Sequence, residues 1–204
     1  MRPSAYEMET YYDYILNFLQ KFGGFTRDDL QQIIPYFQVR TFEKKQIILQ
    51  LGEIENYLSM VMKGLVRKYI MVDKKQVTIQ LATEAHLIQS EFSFHMRVPS
   101  DMVIEAIEPT TMISMQFEHV QEALKEMPNA EEIGRKILAY MFLIKDARVF
   151  SMLKYNTRER FLEYVNRNPH MLQRVPQKIL ASYLNIKPET FSRLKHLVLK
   201  KENN

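Results

Sequence analysis

VPQKILASYLNIKPETFSRLKHLVLKK, residues 175–201, is the stretch that decides the fold. It is basic, carries apolar residues at helical spacing, and has prolines at 176 and 188. If Gln177 is the first position of a helix-turn-helix, apolar side chains are required on the inner faces of both helices and at the turn. Leu180, Leu184, Ile186, Phe191 and Leu194 stand at those places, and Ala181 falls where two helices would cross closely. Asn185 occupies the turn, where φ is usually positive and asparagine is tolerated after glycine. Pro176 and Pro188 suit the first turn of each helix, where a missing N–H costs nothing.

Charge supports this reading. Residues 151–204 hold 11 Lys/Arg against 4 Asp/Glu, whereas the first 150 residues hold 17 against 20. Such asymmetry points to a polyanionic partner, although a solvated basic tail would show it too. The whole chain, 204 residues with 46% hydrophobic and 25% charged, has the composition of an ordinary globular protein. No apolar run is long enough to span a membrane, and residues 1–20 carry acids early and lack the apolar core of a secretion signal. There is no cysteine, which removes disulfides, thiolate metal sites and cysteine nucleophiles together. These absences make the cytoplasm the expected location.

Upstream of the basic segment the texture changes twice. Residues 11–22 and 28–35 read as short helices, the second capped by Thr26. From residue 39 to about 117, short segments such as QIILQ, YLSMVMKG, LVRKYIMV and QVTIQLA are rich in β-branched and aromatic residues. Turns at LGEIEN, VDKK and VPSD separate them, the pattern of an antiparallel barrel or jelly roll. A short helix is expected over 118–126. Residues 130–155, AEEIGRKILAYMFLIKDARVFSMLKY, form a helix of about 24 residues, about 36 Å long at 1.5 Å per residue. Ile133, Ile137, Tyr140 or Met141, Ile144 and Arg148 follow three-four spacing, with Met152 beyond. That stripe can pack on its own domain or form a two-fold seam with a second copy, and its length favours the seam. A further helix follows, capped by Asn156 or Thr157 and stopped at Asn168–Pro169.

RVPQKILASYLNIKPETFSRLKHL resembles the C-terminus of CRP/FNR-type bacterial transcription regulators, in particular the short forms of Bacteroidetes-like bacteria. The resemblance covers nearly the whole chain. FGGFTRDDLQQIIPYFQVRTFEKKQIILQLGEIENYLSMVMKGLVRKYI is similar to the opening of that family's cyclic-nucleotide-binding β-roll, and IEAIEPTTMISM to its later strands. It implies an α+β protein in three parts. These are an N-terminal jelly-roll, cyclic-nucleotide-binding-like effector domain (1–129), a dimerisation helix (130–155) and a C-terminal helix-turn-helix domain (156–204). It implies a homodimer, seamed at Ile133, Ile137, Tyr140, Met141 and Ile144, that binds a pseudo-palindromic operator in double-stranded DNA and meets RNA polymerase. The family's recognition helix has a Glu-Thr pair followed three residues later by Arg, here Glu189, Thr190 and Arg193. Arginine can fork onto guanine O6 and N7, and glutamate can accept from cytosine N4. Lys187, Ser192, Lys195 and His196 flank them and are placed to meet phosphates.

The chain departs from the family in two places. The sequence runs only a few residues past the recognition helix, so the later hairpin of a winged domain is not expected. The nucleotide-binding members hold phosphate with a Gly-Glu pair and a later Arg-Ser/Thr pair. Here Gln89–Ser90 and Ser100–Asp101 align with them, with Glu91 one register away. The phosphate-approaching glycine and the neutralising arginine are absent, and Asp101 would repel the ligand. Cyclic AMP is therefore not expected as an effector, no cofactor is assigned, and an effector in the roll is unidentified. Arg97 lies nearby, but at a different loop position.

Three other functions compete. A metal-dependent cupin-like enzyme would need clustered His and carboxylate ligands, but His86, His95 and His119 lack that spacing, so neither metal nor catalysis is expected. Haem sensing through one histidine lacks a second ligand. A regulatory subunit that grips a protein partner with its C-terminal helices, without DNA, is the main alternative.

Overall fold

The protein, described here from a computed structural model, has a defined backbone over residues 5–202 and defined side chains over residues 8–196. It opens with α1 (Ala5–Gln20) and α2 (Arg27–Ile33), followed by one 3₁₀ turn (Ile34–Tyr36). Thr26 caps α2 as its sequence position requires. Its Oγ1 accepts from Asp29 N–H at 3.1 Å, and Asp29 returns a carboxylate to the Thr26 N–H at 2.8 Å. This reciprocal box satisfies two donors that the first helical turn leaves open.

Eight strands follow: β1 (Phe37–Phe42), β2 (Ile47–Leu49), β3 (Tyr57–Lys63), β4 (Val66–Val72), β5 (Lys75–Ala82), β6 (Leu87–Ile88), β7 (Val103–Ala106) and β8 (Thr110–Gln116). They form two four-stranded sheets, ordered β1-β8-β3-β6 and β2-β7-β4-β5. Every partner is non-sequential except in the β4–β5 hairpin, the signature of a roll rather than a meander. The antiparallel register pairs Phe37 with Met115 and Ser59 with Ser114. Alternate residues thus face a core that contains Val61, Val66, Ala82, Ile104 and Met112. The β4–β5 hairpin turns on Asp73 and Lys74, both with positive φ, the two-residue geometry that matches strand twist. Gly64, at φ +104°, is required at the β3–β4 turn, since a Cβ there would lie 2.6 Å from the Pro109 carbonyl oxygen. The roll is thus built where the short β-branched and aromatic segments predict strands.

One helix in this region has no strong sequence signal: α3 (Glu91–Met96), within the stretch that separates two expected strands. After β8 come α4 (Phe117–Glu126), α5 (Ala130–Lys154), α6 (Thr157–Arg167), the single turn α7 (Met171–Arg174), α8 (Gln177–Tyr183) and α9 (Pro188–Glu202). Asn156 caps α6, accepting from the Arg158 and Glu159 N–H groups at 3.0 and 3.1 Å.

The chain divides into two compact units, Met1–Lys68 with Leu81–Met141, and Tyr69–Gln80 with Phe142–Asn204. The tip of the β4–β5 hairpin therefore belongs with the C-terminal helices. In the first unit α1, α2 and the first half of α5 close a core of Tyr11, Ile15, Phe18, Leu30, Ile113 and Ile133.

Candidate nucleic-acid interface

The helix-turn-helix is built on aromatic stacking and one left-handed residue. Phe161 of α6 meets Phe191 of α9 edge to face, centroids 5.2 Å apart, and both rings are fully buried. Leu180, Ala181, Leu184 and Ile186 close around them, and Leu194 is half-buried. Each large apolar side chain buried this way contributes about 1.5–3 kcal/mol. At the end of α8 the chain reverses through Asn185, whose φ is +52°. The Ile186 N–H then reaches back to the Ala181 carbonyl at 2.9 Å, and the Leu184 N–H to that of Leu180 at 2.9 Å. Helix-end carbonyls are satisfied in this way. Gln177 opens α8 as expected. Pro176 stands one place earlier, at the N-cap, and Pro188 opens α9.

With Phe191 turned inward, Glu189, Arg193 and His196 share the opposite face of α9, at i, i+4 and i+7, and all are exposed. Lys187 is exposed just before the helix, whereas Thr190, Ser192 and Lys195 flank the face and are half-buried. Arg193 Nε approaches the Glu189 carbonyl at 3.5 Å, and the side chain is exposed. All seven residues singled out from the sequence thus lie on or beside one helix.

Two arginines missed by that reading hold the turn from behind. Arg160 of α6 donates to the carbonyls of Leu184 at 3.0 Å, Asn185 at 3.3 Å and Tyr155 at 2.7 Å. Arg148 of α5 donates to the Tyr183 carbonyl at 2.7 Å. The one sequence signal for Arg148 is a charge standing in an apolar row.

Four of the five residues aligned with the phosphate-binding pairs, Gln89, Ser90, Glu91 and Ser100, are brought together, but as a closed polar cluster. Gln89, Ser90 and Ser100 are buried, and Ser100 Oγ–H donates to Ser90 Oγ at 2.9 Å. Glu91, on the first turn of α3, accepts from the buried Lys68 ammonium at 2.7 and 2.9 Å, and Lys68 also donates to the Gln89 carbonyl at 2.8 Å. Glu55 accepts from the N–H groups of Tyr57 and Ser90, and burial pushes its carboxyl above the ordinary range. Gln89 Oε1 is buried without a hydrogen-bond partner. Asp101 is exposed. Arg97 donates to the Glu55 carbonyl at 2.6 Å and to Asn56 Oδ1 at 2.5 Å, and lies over the Phe117 ring at 4.2 Å. Its fork is committed to the protein.

Helix α5 is apolar on two sides. Ile133 is buried in the first unit's core, Ile137 packs against that core, and Tyr140 meets Phe18 and Phe22 edge to face. Met141 is half-buried and Ile144 exposed. Three of the five residues read as a seam therefore serve the roll. A second stripe, Leu138, Phe142, Val149 and Leu153, runs exposed along the other side. Among the described residues, no three of His, Asp and Glu converge as a metal site, and no helix is long and apolar enough to cross a membrane.

No family model and no curated protein matches the sequence. Solved structures do match the fold. FixK2 from Bradyrhizobium japonicum has a TM-score of 0.67 at 15% identity, over 81% of this chain and 86% of that one. A putative transcriptional regulator of the CRP/FNR family from Eubacterium rectale has a TM-score of 0.66 at 14% identity, over 91% and 88%. The catabolite activator protein of Thermus thermophilus has 0.54 at 20% identity, over 89% and 87%. The molecule is an α+β protein with a β-roll of the cyclic-nucleotide-binding-like fold followed by a helical domain. That is the CRP/FNR-type fold, and the resemblance seen in the sequence is met at the level of structure.

Proposed function

We propose that the protein is a cytoplasmic, homodimeric transcription regulator that reads a pseudo-palindromic DNA operator with α9, without catalysis of its own. The observation that carries this reading is the exposed Glu189–Arg193–His196 face, set on a helix whose other face is locked by Phe161 and Phe191. It lies in the basic part of the chain, and the structural neighbours include regulators of the CRP/FNR family. The dimer seam is assigned to Leu138, Phe142, Val149 and Leu153, whose exposed side chains an α5 helix of a second copy would cover. The domain limits follow as an effector-type roll over 1–129, a seam helix over 130–155 and a reading domain over 156–204. RNA polymerase is the further partner of such a regulator.

The roll does not use cyclic AMP. A phosphate entering beside Gln89–Ser90 and Ser100–Asp101 would meet the carboxylates of Glu55, Glu91 and Asp101, and Lys68 is already neutralised by Glu91. Calorimetry with cyclic AMP at saturating concentration should show no one-site isotherm. Selection of operators from random duplexes tests the main reading. It should return two inverted half-sites about 34–36 Å apart. Recovery of no preferred sequence would favour the protein-binding alternative.

A further inference from the structure

Arg148 continues the row of α5 that begins with Ile133 and Ile137, where an apolar residue is the regular choice. It is half-buried, and burial draws its guanidinium below the ordinary arginine range, but an arginine stays charged at any working pH. Its contacts are main-chain carbonyls of two other elements. Nη1 donates to Ile79 of β5, and Nη2 donates to Tyr183 at the end of α8, at 2.7 Å, and approaches Thr78 of β5 at 3.4 Å. The guanidinium also lies over the Tyr183 ring, 4.2 Å from its centroid.

A second link runs beside it. The Thr78 N–H donates to Ser182 Oγ at 2.9 Å, and the Ser182 hydroxyl donates to the Gln76 carbonyl at 3.2 Å. The hairpin is thereby tied to the last turn of α8, directly before the Asn185 reversal that launches α9. A cation at a helix C-terminus is favourable, and a planar fork can serve two elements at once where an ammonium serves one point. The contact grips α8 and leaves Glu189, Arg193 and His196 open, so it supports the reading face instead of covering it.

We propose that Arg148 is the positioning residue of the recognition helix, fixing the helix-turn-helix to the β4–β5 hairpin so that α9 presents its reading face in one orientation. This rests on the DNA-reading function above. The test uses the full chain with Arg148→Lys, which keeps the charge and loses the fork, and Ser182→Ala, which removes the Thr78 and Gln76 links and leaves the Arg148 contacts. Amide exchange is followed without DNA at Thr78 and at Ile186, with Val61 of the roll as internal control.

In Arg148→Lys, exchange at Thr78 and Ile186 should accelerate tenfold or more while Val61 is unchanged. The dissociation constant for a selected operator should rise at least tenfold, with affinity for random-sequence duplex and its salt slope retained. Ser182→Ala should accelerate Thr78 and weaken operator binding less, and it carries the test if Arg148→Lys does not fold. Exchange within twofold of wild type at both amides overturns the proposal. So does faster exchange with unaltered operator binding. If the wild-type protein prefers no DNA sequence, the DNA reading fails, and the exchange measurements still decide whether the clamp exists.

Discussion

Replacing Glu91 by Gln should be among the most damaging single changes in the roll, and the structure sets its size. The Lys68 side chain is 2% exposed and its ammonium lies 2.7 Å from the Glu91 carboxylate, whose side chain is 16% exposed. Glu91→Gln keeps the shape and the Gln89 carbonyl contact but removes the carboxylate to which a buried cation is directly bonded. Breaking a buried pair from one side costs about 3–5 kcal/mol. A domain has only about 5–15 kcal/mol in hand, so much of the margin would go. Lys68→Met should cost less, because an unbranched apolar chain fills the same channel and the carboxylate left behind lies nearer to water. The double variant should recover most of the Glu91→Gln loss, since it leaves no uncompensated charge. Urea titration at constant m reads all three. A Glu91→Gln loss under about 1 kcal/mol would refute the reasoning. A double variant no more stable than Glu91→Gln would do so too.

Arg193→Ala should weaken operator binding by about 1–3 kcal/mol and relax one base pair per half-site. Lys195→Ala should instead weaken binding on all sequences and lower the salt slope by about one, and titrations at two salt concentrations separate the two. Phe142→Lys with Val149→Lys should give folded monomers by sedimentation, whereas Ile137→Lys should lower the melting temperature, because Ile137 packs in the first unit's own core. Glu55 has its carboxyl raised from 4.5 by burial, so the folded state holds its proton more tightly than the unfolded one. Its contribution to stability is present below pH 4.5 and is lost as pH rises through the folded value. Glu55→Gln should therefore flatten the fall in urea midpoint on going from pH 4.5 to 7.

The sequence carried the architecture well where local chemistry is decisive. Thr26 and Asn156 cap helices because their side chains bond the next turn, an interaction three residues long. Asn185 marks the reversal because few residues adopt positive φ. The roll could be read from short segments rich in β-branched and aromatic residues between turn residues. Helix α3 could not, since six residues opened by Ser90 without a side-chain cap give periodicity too little length to register. The stripe of α5 was ambiguous for another reason. That helix is apolar on two sides, and spacing alone does not say which side meets its own core. Phe18, Phe22 and Tyr140 decide it only once the chain is folded.

The candidate site divides along the same line. Glu189, Arg193 and His196 could be grouped because helical spacing puts them on one face, and chemistry then suggests what such a face meets. The groups that hold that face in place left no such trace. In the roll, likewise, Lys68 and Glu91 lie 23 residues apart and meet only once the chain is folded. Arg148 and Ile79 are 69 apart, and the acceptor is a main-chain carbonyl that every residue type possesses. A side chain that bonds backbone imposes no requirement on its partner's identity, so no pattern at the partner position can reveal it. What remains visible is the donor alone, an arginine in a row of isoleucines. A charge at a position whose spacing calls for an apolar residue therefore marks a tertiary anchor before its partner is known.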